Sequence, residues 1–193
     1  MRLKRRLMVA MMLAAMGTFL AGLTIARADS GKGGGDDPTP TCTINGNEDQ
    51  GDDHGEDVQG DDRGDDMDGT EADDHLDGNA GDDDIAGHAG DDDLCGDRGD
   101  DTLKGGPGDD ELRGGPGDDI ENGQGGDDDV VGNPGADHLR GGPGHDVLEG
   151  KAGADHINVR HGGRDRVNCG RGHDVVKADH RDHIASNCEK VKR

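Results

Sequence analysis

Eleven aspartates stand on one nine-residue beat: Asp65, Asp74, Asp83, Asp92, Asp101, Asp110, Asp119, Asp128, Asp137, Asp146 and Asp155. From Asp83 onward each follows a glycine by two residues, at Gly81, Gly90, Gly99, Gly108, Gly117, Gly126, Gly135, Gly144 and Gly153. Another glycine opens each unit five residues before its aspartate, from Gly60 to Gly150, and Gly51 holds the same phase. Carboxylates are hard oxygen donors. Glycine turns leave backbone carbonyls without Cβ obstruction, so the pair of series reads as a repeated donor set for a hard cation. The glycines at the first and fourth positions are expected to carry the positive φ angles such a loop needs.

What must position these donors is not an ordinary core. Hydrophobic residues make up 27% of the 193-residue chain, and Phe19 is its one aromatic residue. The balance of 21 Lys and Arg against 45 Asp and Glu gives a net charge of −24. That combination is the signature of a chain that stays disordered without a ligand. Such a charge repels nucleic acid and anionic membranes and attracts cations. Sugar binding is disfavoured by the missing aromatic rings. No phosphate-loop Lys-Ser/Thr or G-x-S-x-G elbow is present, and no carboxylate pair stands out, so an enzyme is not expected.

The clearest unit is Gly105-Gly106-Pro107-Gly108-Asp109-Asp110-Glu111-Leu112-Arg113. It resembles the repeats-in-toxin (RTX), or haemolysin-type, calcium-binding nonapeptide G-G-x-G-x-D-x-U-x, in which U is a large aliphatic residue. The resemblance implies an all-β fold: a parallel β-roll solenoid with two units per turn and calcium between stacked loops. It further implies that Asp74, Asp83, Asp92, Asp101, Asp110, Asp119, Asp128, Asp137, Asp146 and Asp155 hold the metal together with the fourth-position glycines Gly81 to Gly144. Calcium suits such a set because it takes six to eight oxygens at about 2.3–2.6 Å, whereas magnesium demands stricter octahedral geometry.

With eighteen residues per turn, the inward residues form two ladders. One is Met67, Ile85, Leu103, Glu121, Leu139 and Ile157; the other is Val58, Leu76, Leu94, Leu112, Val130 and Leu148. One buried aliphatic per nine residues does not offset the ordering of those nine residues. Stacked carboxylates about 5 Å apart add roughly 3 kcal/mol of repulsion per pair at an effective dielectric of about 20. Calcium binding and folding are therefore expected to be one event. Two defects stand out. Glu121 takes an aliphatic place beside Ile120, so a distorted strand or an outward Glu121 is expected. Ala136, His145 and Ala154 replace earlier aspartates, so weaker sites are expected there.

The ends read differently. Residues 1–28 have a basic start, an apolar run and Ala26-Arg27-Ala28, as in a cleaved secretory signal; an uncleaved anchor is the alternative. Cleavage leaves 16 basic residues against 45 acidic, a net of −29. An N-terminal signal departs from the C-terminal export signal of many repeats-in-toxin proteins. Residues 29–50 read as a disordered linker, 51–159 as the calcium-binding roll and 160–193 as slipped repeats and a more basic cap. The segment from Val167 to Glu189 resembles the end of secreted bacterial proteins that carry these repeats. Four cysteines in an exported chain imply disulfides, with three possible pairings. Cys169–Cys188, closing the cap, is favoured, which leaves Cys42–Cys95.

The functional expectation is a secreted calcium-binding module, structural or adhesive, with calcium ions as partners and its protein or cell-surface partner open. An acidic calcium buffer that stays largely disordered is one alternative. An accessory module of a partner enzyme is another. His138 and His156, eighteen apart, also allow a transition-metal pair, and His161, His173, His180 and His183 gather in the cap.

Overall fold

A computed structural model describes Gly55 and residues 57–193. The signal segment 1–28, the linker 29–50 and Cys42 lie outside the described residues.

Short strands alternate between two parallel sheets. The first contains, in spatial order, β1 (Asp57–Gln59), β3 (His75–Asp77), β5 (Asp93–Cys95), β7 (Glu111–Arg113), β9 (Asp129–Pro134), β11 (Val147–Gly153), β13 (Arg166–Asn168) and β16 (His183–Ile184), with β14 (Arg171–Gly172) also paired to β11. The second contains β2 (Asp66–Asp68), β4 (Asp84–Ala86), β6 (Thr102–Pro107), β8 (Ile120–Gly125), β10 (His138–Arg140), β12 (His156–Asn158), β15 (Val175–Lys177) and β17 (Lys190–Lys192). Each strand pairs with the strand one turn away. This is a parallel β-solenoid of about eight turns.

The middle residue of each strand faces inward. Leu76, Leu94, Leu112, Val130 and Leu148 stack in one column, each eighteen residues from its neighbour in the column. Met67, Ile85 and Leu103 begin the other, and Leu139 and Ile157 continue it. All ten are buried. Single side chains stacked at the strand spacing of about 4.8 Å make a core one residue wide on each side.

Glu121 corrects the expectation of a distorted strand or an outward carboxylate. It lies in register between Leu103 and Leu139, fully buried, while Ile120 is 52% exposed. The parallel ladder on both sides fixes the register, and a slip of one residue would turn the whole strand over.

The stack continues beyond residue 159, but its beat changes. Leu148 pairs with Val167 and Ile157 with Val176, nineteen residues on; Val167 then pairs with Ile184, seventeen on. The added residue of the Gly162-Gly163-Arg164 turn is absorbed in the loop, so the inward positions stay aligned. Cys169 and Cys188 form a disulfide across the last turns, with Cα atoms 5.2 Å apart. Cys95 is disulfide-bonded.

Candidate metal centre

The turns place the sixth-position aspartates in two inward-facing rows. Along one, the backbone N–H of Asp65 donates to Oδ1 of Asp83, and the link repeats through Asp101, Asp119, Asp137, Asp155 and Asp174 at 2.7–3.1 Å. Along the other, Asp74, Asp92, Asp110, Asp128, Asp146 and Asp165 are joined in the same way at 2.8–3.1 Å. Every turn is thereby tied to the next through one carboxylate oxygen. The second oxygen has no such use. Oδ2 of Asp83, Asp92, Asp101, Asp110, Asp119, Asp128, Asp137, Asp146, Asp155, Asp165 and Asp174 is buried without a hydrogen-bond partner. Asp74 differs, accepting hydrogen bonds from the backbone and hydroxyl of Thr70.

An ionised oxygen buried without a partner is costly, and the carboxyls respond. Burial is the main cause, and neighbouring aspartates add to it; the amide of the preceding turn opposes. Asp101, Asp110, Asp146 and Asp155 are raised to about 6, Asp128 and Asp137 to about 7 and Asp119 to about 8. A proton or a cation must offset this charge.

The glycines divide the work differently from the expectation. First-position glycines do not take positive φ. They are small because Oδ2 of their own unit's aspartate fills the space: a Cβ on Gly105, Gly123 or Gly141 would lie 2.2 Å from it. Positive φ falls on the second position instead, where Asn79 (70°), His88 (80°) and Gln124 (79°) take it as well as Gly106. The fourth-position glycines stack backbone on backbone. A Cβ on Gly99, Gly117, Gly135 or Gly153 would sit 1.4–1.7 Å from the carbonyl oxygen eighteen residues earlier, and Gly108, Gly126 and Gly144 repeat this on the opposite side at 1.7 Å. Gly81 and Gly90 begin these two stacks, also at positive φ. Gly135→Ala is therefore expected to destabilise the folded roll by at least about 3 kcal/mol, as an overpacked site with no room to relax does. Gly125→Ala, where a Cβ meets nothing within 4 Å, should change stability by less than about 0.5 kcal/mol. Urea denaturation of the two variants in saturating calcium checks the contrast.

Among the described residues no group of three or more His, Cys, Asp or Glu converges as a metal cluster. The donor set that fits is thus one free carboxylate oxygen per nine-residue unit with the bare glycine backbone beside it. Oxygen ligands without nitrogen or sulfur suit calcium rather than zinc or copper. His138 and His156 do meet, in register with ring centroids 4.9 Å apart, but Arg140 shares β10 with His138 and the pair supplies only two ligands of a shell. In the cap, His173 pairs with Glu189 at 2.6 Å.

The RTX calcium-binding nonapeptide repeat model matches in four copies, over residues 59–94, 95–120 and 122–157, just over half of the chain. The chain belongs to the RTX calcium-binding repeat family. No curated protein matches it. The roll is therefore an RTX calcium-binding β-roll with stacked aspartate-rich turns.

Two features escaped the sequence reading. Asp165 and Asp174, in the slipped repeats read as part of the cap, were not expected as ligands, yet they extend the ladders with the same unpartnered Oδ2. Gly162-Gly163-Arg164-Asp165 and Gly172-His173-Asp174 carried the signal. The fifth-position aspartates form a second, solvent-facing ladder that runs the other way. Asp91, Asp109 and Asp127 each donate their amide back to Oδ1 of the aspartate eighteen residues earlier, at 2.7–2.9 Å. Where Ala136 and His145 interrupt this row, their amides still reach Asp118 and Asp127. These replacements remove the next exposed carboxylate and leave the buried Oδ2 row intact.

Proposed function

We propose that the chain is exported and that calcium, bound along the two inner aspartate rows, orders it outside the cell as a structural or adhesive module rather than as an enzyme. The observation that carries this reading is the row of buried Oδ2 atoms with no partner on either side. Spending one carboxylate per nine residues in this way from Asp83 to Asp174 calls for a cation along the roll at neutral pH, where protons are scarce. The signal-like residues 1–28 and the Cys169–Cys188 disulfide support an oxidising compartment.

Calcium would be held by the Oδ2 atoms of the two inner rows beside the bare glycine backbone, and would supply the positive charge that offsets repulsion along each row. The chain's own groups do the rest. The amide-to-Oδ1 bonds set the height of each turn, and the bare glycines let adjacent loops close.

Fractionation of cells producing the full chain tests export and surface role together. The expected result is a product whose mass corresponds to a start near Asp29, found in the medium and on intact cells, and released from those cells by a chelator wash. Retention inside the cell at full mass would refute export. Presence in the medium with no calcium-dependent attachment would instead favour a free calcium-binding polyelectrolyte.

A further inference from the structure

Among the described residues, Glu121 is the one interior position where the aliphatic columns are broken by an acid. It is fully buried, and neither carboxyl oxygen has a well-formed hydrogen bond; the Gly114 backbone is the nearest donor and only slightly offsets the cost of burial. The family match breaks at this residue, ending at 120 and resuming at 122. Ile120 stands beside it with its side chain in solvent, although an exchange of the two would restore both the column and the surface. A buried acid in an apolar column is unfavourable unless something pairs with it.

The geometry supplies the partner's place. The position of a Cβ on Gly114 lies 2.5 Å from Oδ2 of Asp119 and 2.5 Å from Oε1 of Glu121, so the two oxygens are no more than about 5 Å apart. Both are buried without a well-formed hydrogen bond. Asp119 alone, among the sixth-position aspartates, has a second free carboxylate oxygen of its own unit facing the same first-position glycine. A cation with bonds of about 2.3–2.6 Å can touch two oxygens separated by up to about 5 Å. The two oxygens crowd against the bare Gly114, where no side chain could come between them.

We propose that Glu121 is a second carboxylate ligand for the calcium held at the Asp119 turn, reaching the ion from inside the core. This rests on the calcium reading of the aspartate rows and adds to it. Other units offer one inner carboxylate oxygen; this unit offers two side chains. The charge brought by Glu121 raises the site's preference for a divalent ion over a proton, because more ligand charge tightens calcium sites. The apparent defect is then the anchor of the stack, near the middle of the matched repeats.

The test compares the mature chain with Glu121→Leu, which repairs the aliphatic column, and Glu121→Gln, which keeps the shape. Calcium uptake is measured by isothermal titration calorimetry, and urea denaturation is followed with and without calcium. The wild type is expected to show one class of site at least tenfold tighter than the rest. Both variants should lose that class, and Glu121→Leu should nonetheless be the more resistant to urea in chelator at acidic pH. Equal number and affinity of sites in Glu121→Leu and wild type would overturn the role of Glu121 while leaving the calcium roll standing. Failure of the wild type to take up calcium would overturn both.

Discussion

Acid alone will fold the chain. With a chelator present and no calcium, lowering the pH from 8 to 5 should convert a coil-like far-UV circular dichroism spectrum to a β spectrum. The sign follows from the inner aspartates. Burial raises their folded pKa values above the ordinary 3.8, to about 6 at Asp101, Asp110, Asp146 and Asp155, about 7 at Asp128 and Asp137 and about 8 at Asp119. A raised acid binds its proton more tightly when folded. Its contribution is complete below about pH 4 and is lost as the pH rises through 6, then 7, then 8. Each proton taken up on folding adds about 1.4 kcal/mol of stability per pH unit of acidification. The transition should be steep because several groups share the window. Calcium reverses the trend, since protons compete for the same oxygens: the calcium needed to fold the chain should rise as the pH falls. High salt serves as a control. It screens general repulsion between exposed charges but does not relieve a buried oxygen. A spectrum unchanged between pH 8 and 5 would contradict this account of the rows.

Asp110→Ala and Asp109→Ala remove the same charge from adjacent positions and should differ sharply. Oδ1 of Asp110 accepts the buried amide of Asp92 at 3.0 Å, and its Oδ2 is one of the buried, unpartnered oxygens. Asp109 accepts the amide of Asp127 at 2.7 Å in an exposed setting. Alanine at 110 strands a buried donor and deletes an oxygen of the proposed calcium row, for an expected loss of about 2–4 kcal/mol in saturating calcium. Alanine at 109 leaves the Asp127 amide open to water and should cost less than about 1 kcal/mol. Equal effects in urea denaturation would mean that net charge, rather than the inner row, governs stability.

Much of this was legible because a solenoid repeats its physics. The nine-residue beat placed Leu76, Leu94, Leu112, Val130 and Leu148 in one column and the aspartates in two rows, since each repeat meets only its neighbours. What was not legible concerned atoms rather than positions. The requirement for glycine at the first position comes from a carboxylate oxygen resting against it, not from φ, and no residue pattern separates those two causes. The direction of the fifth-position ladder depends on which amide each carboxylate meets. Glu121 read as a misfit because hydropathy assigns a carboxylate to the surface; the ladder on both sides of β8 and the neighbouring Asp119 decide otherwise. The slipped repeats of Asp165 and Asp174 were legible, but not that these two continue the inner rows, because a fixed period does not carry across an added residue, whereas strand pairing does.

A calcium titration of residues 29–193, followed by far-UV circular dichroism at pH 7.5 with magnesium as the control, tests the central claim most directly. The account predicts a cooperative change from coil to β signal at about 10⁻⁴–10⁻³ M calcium, the range of extracellular calcium modules, with no comparable change in magnesium. Calcium uptake without any gain of β signal, or a full β spectrum in chelator at that pH, would contradict it.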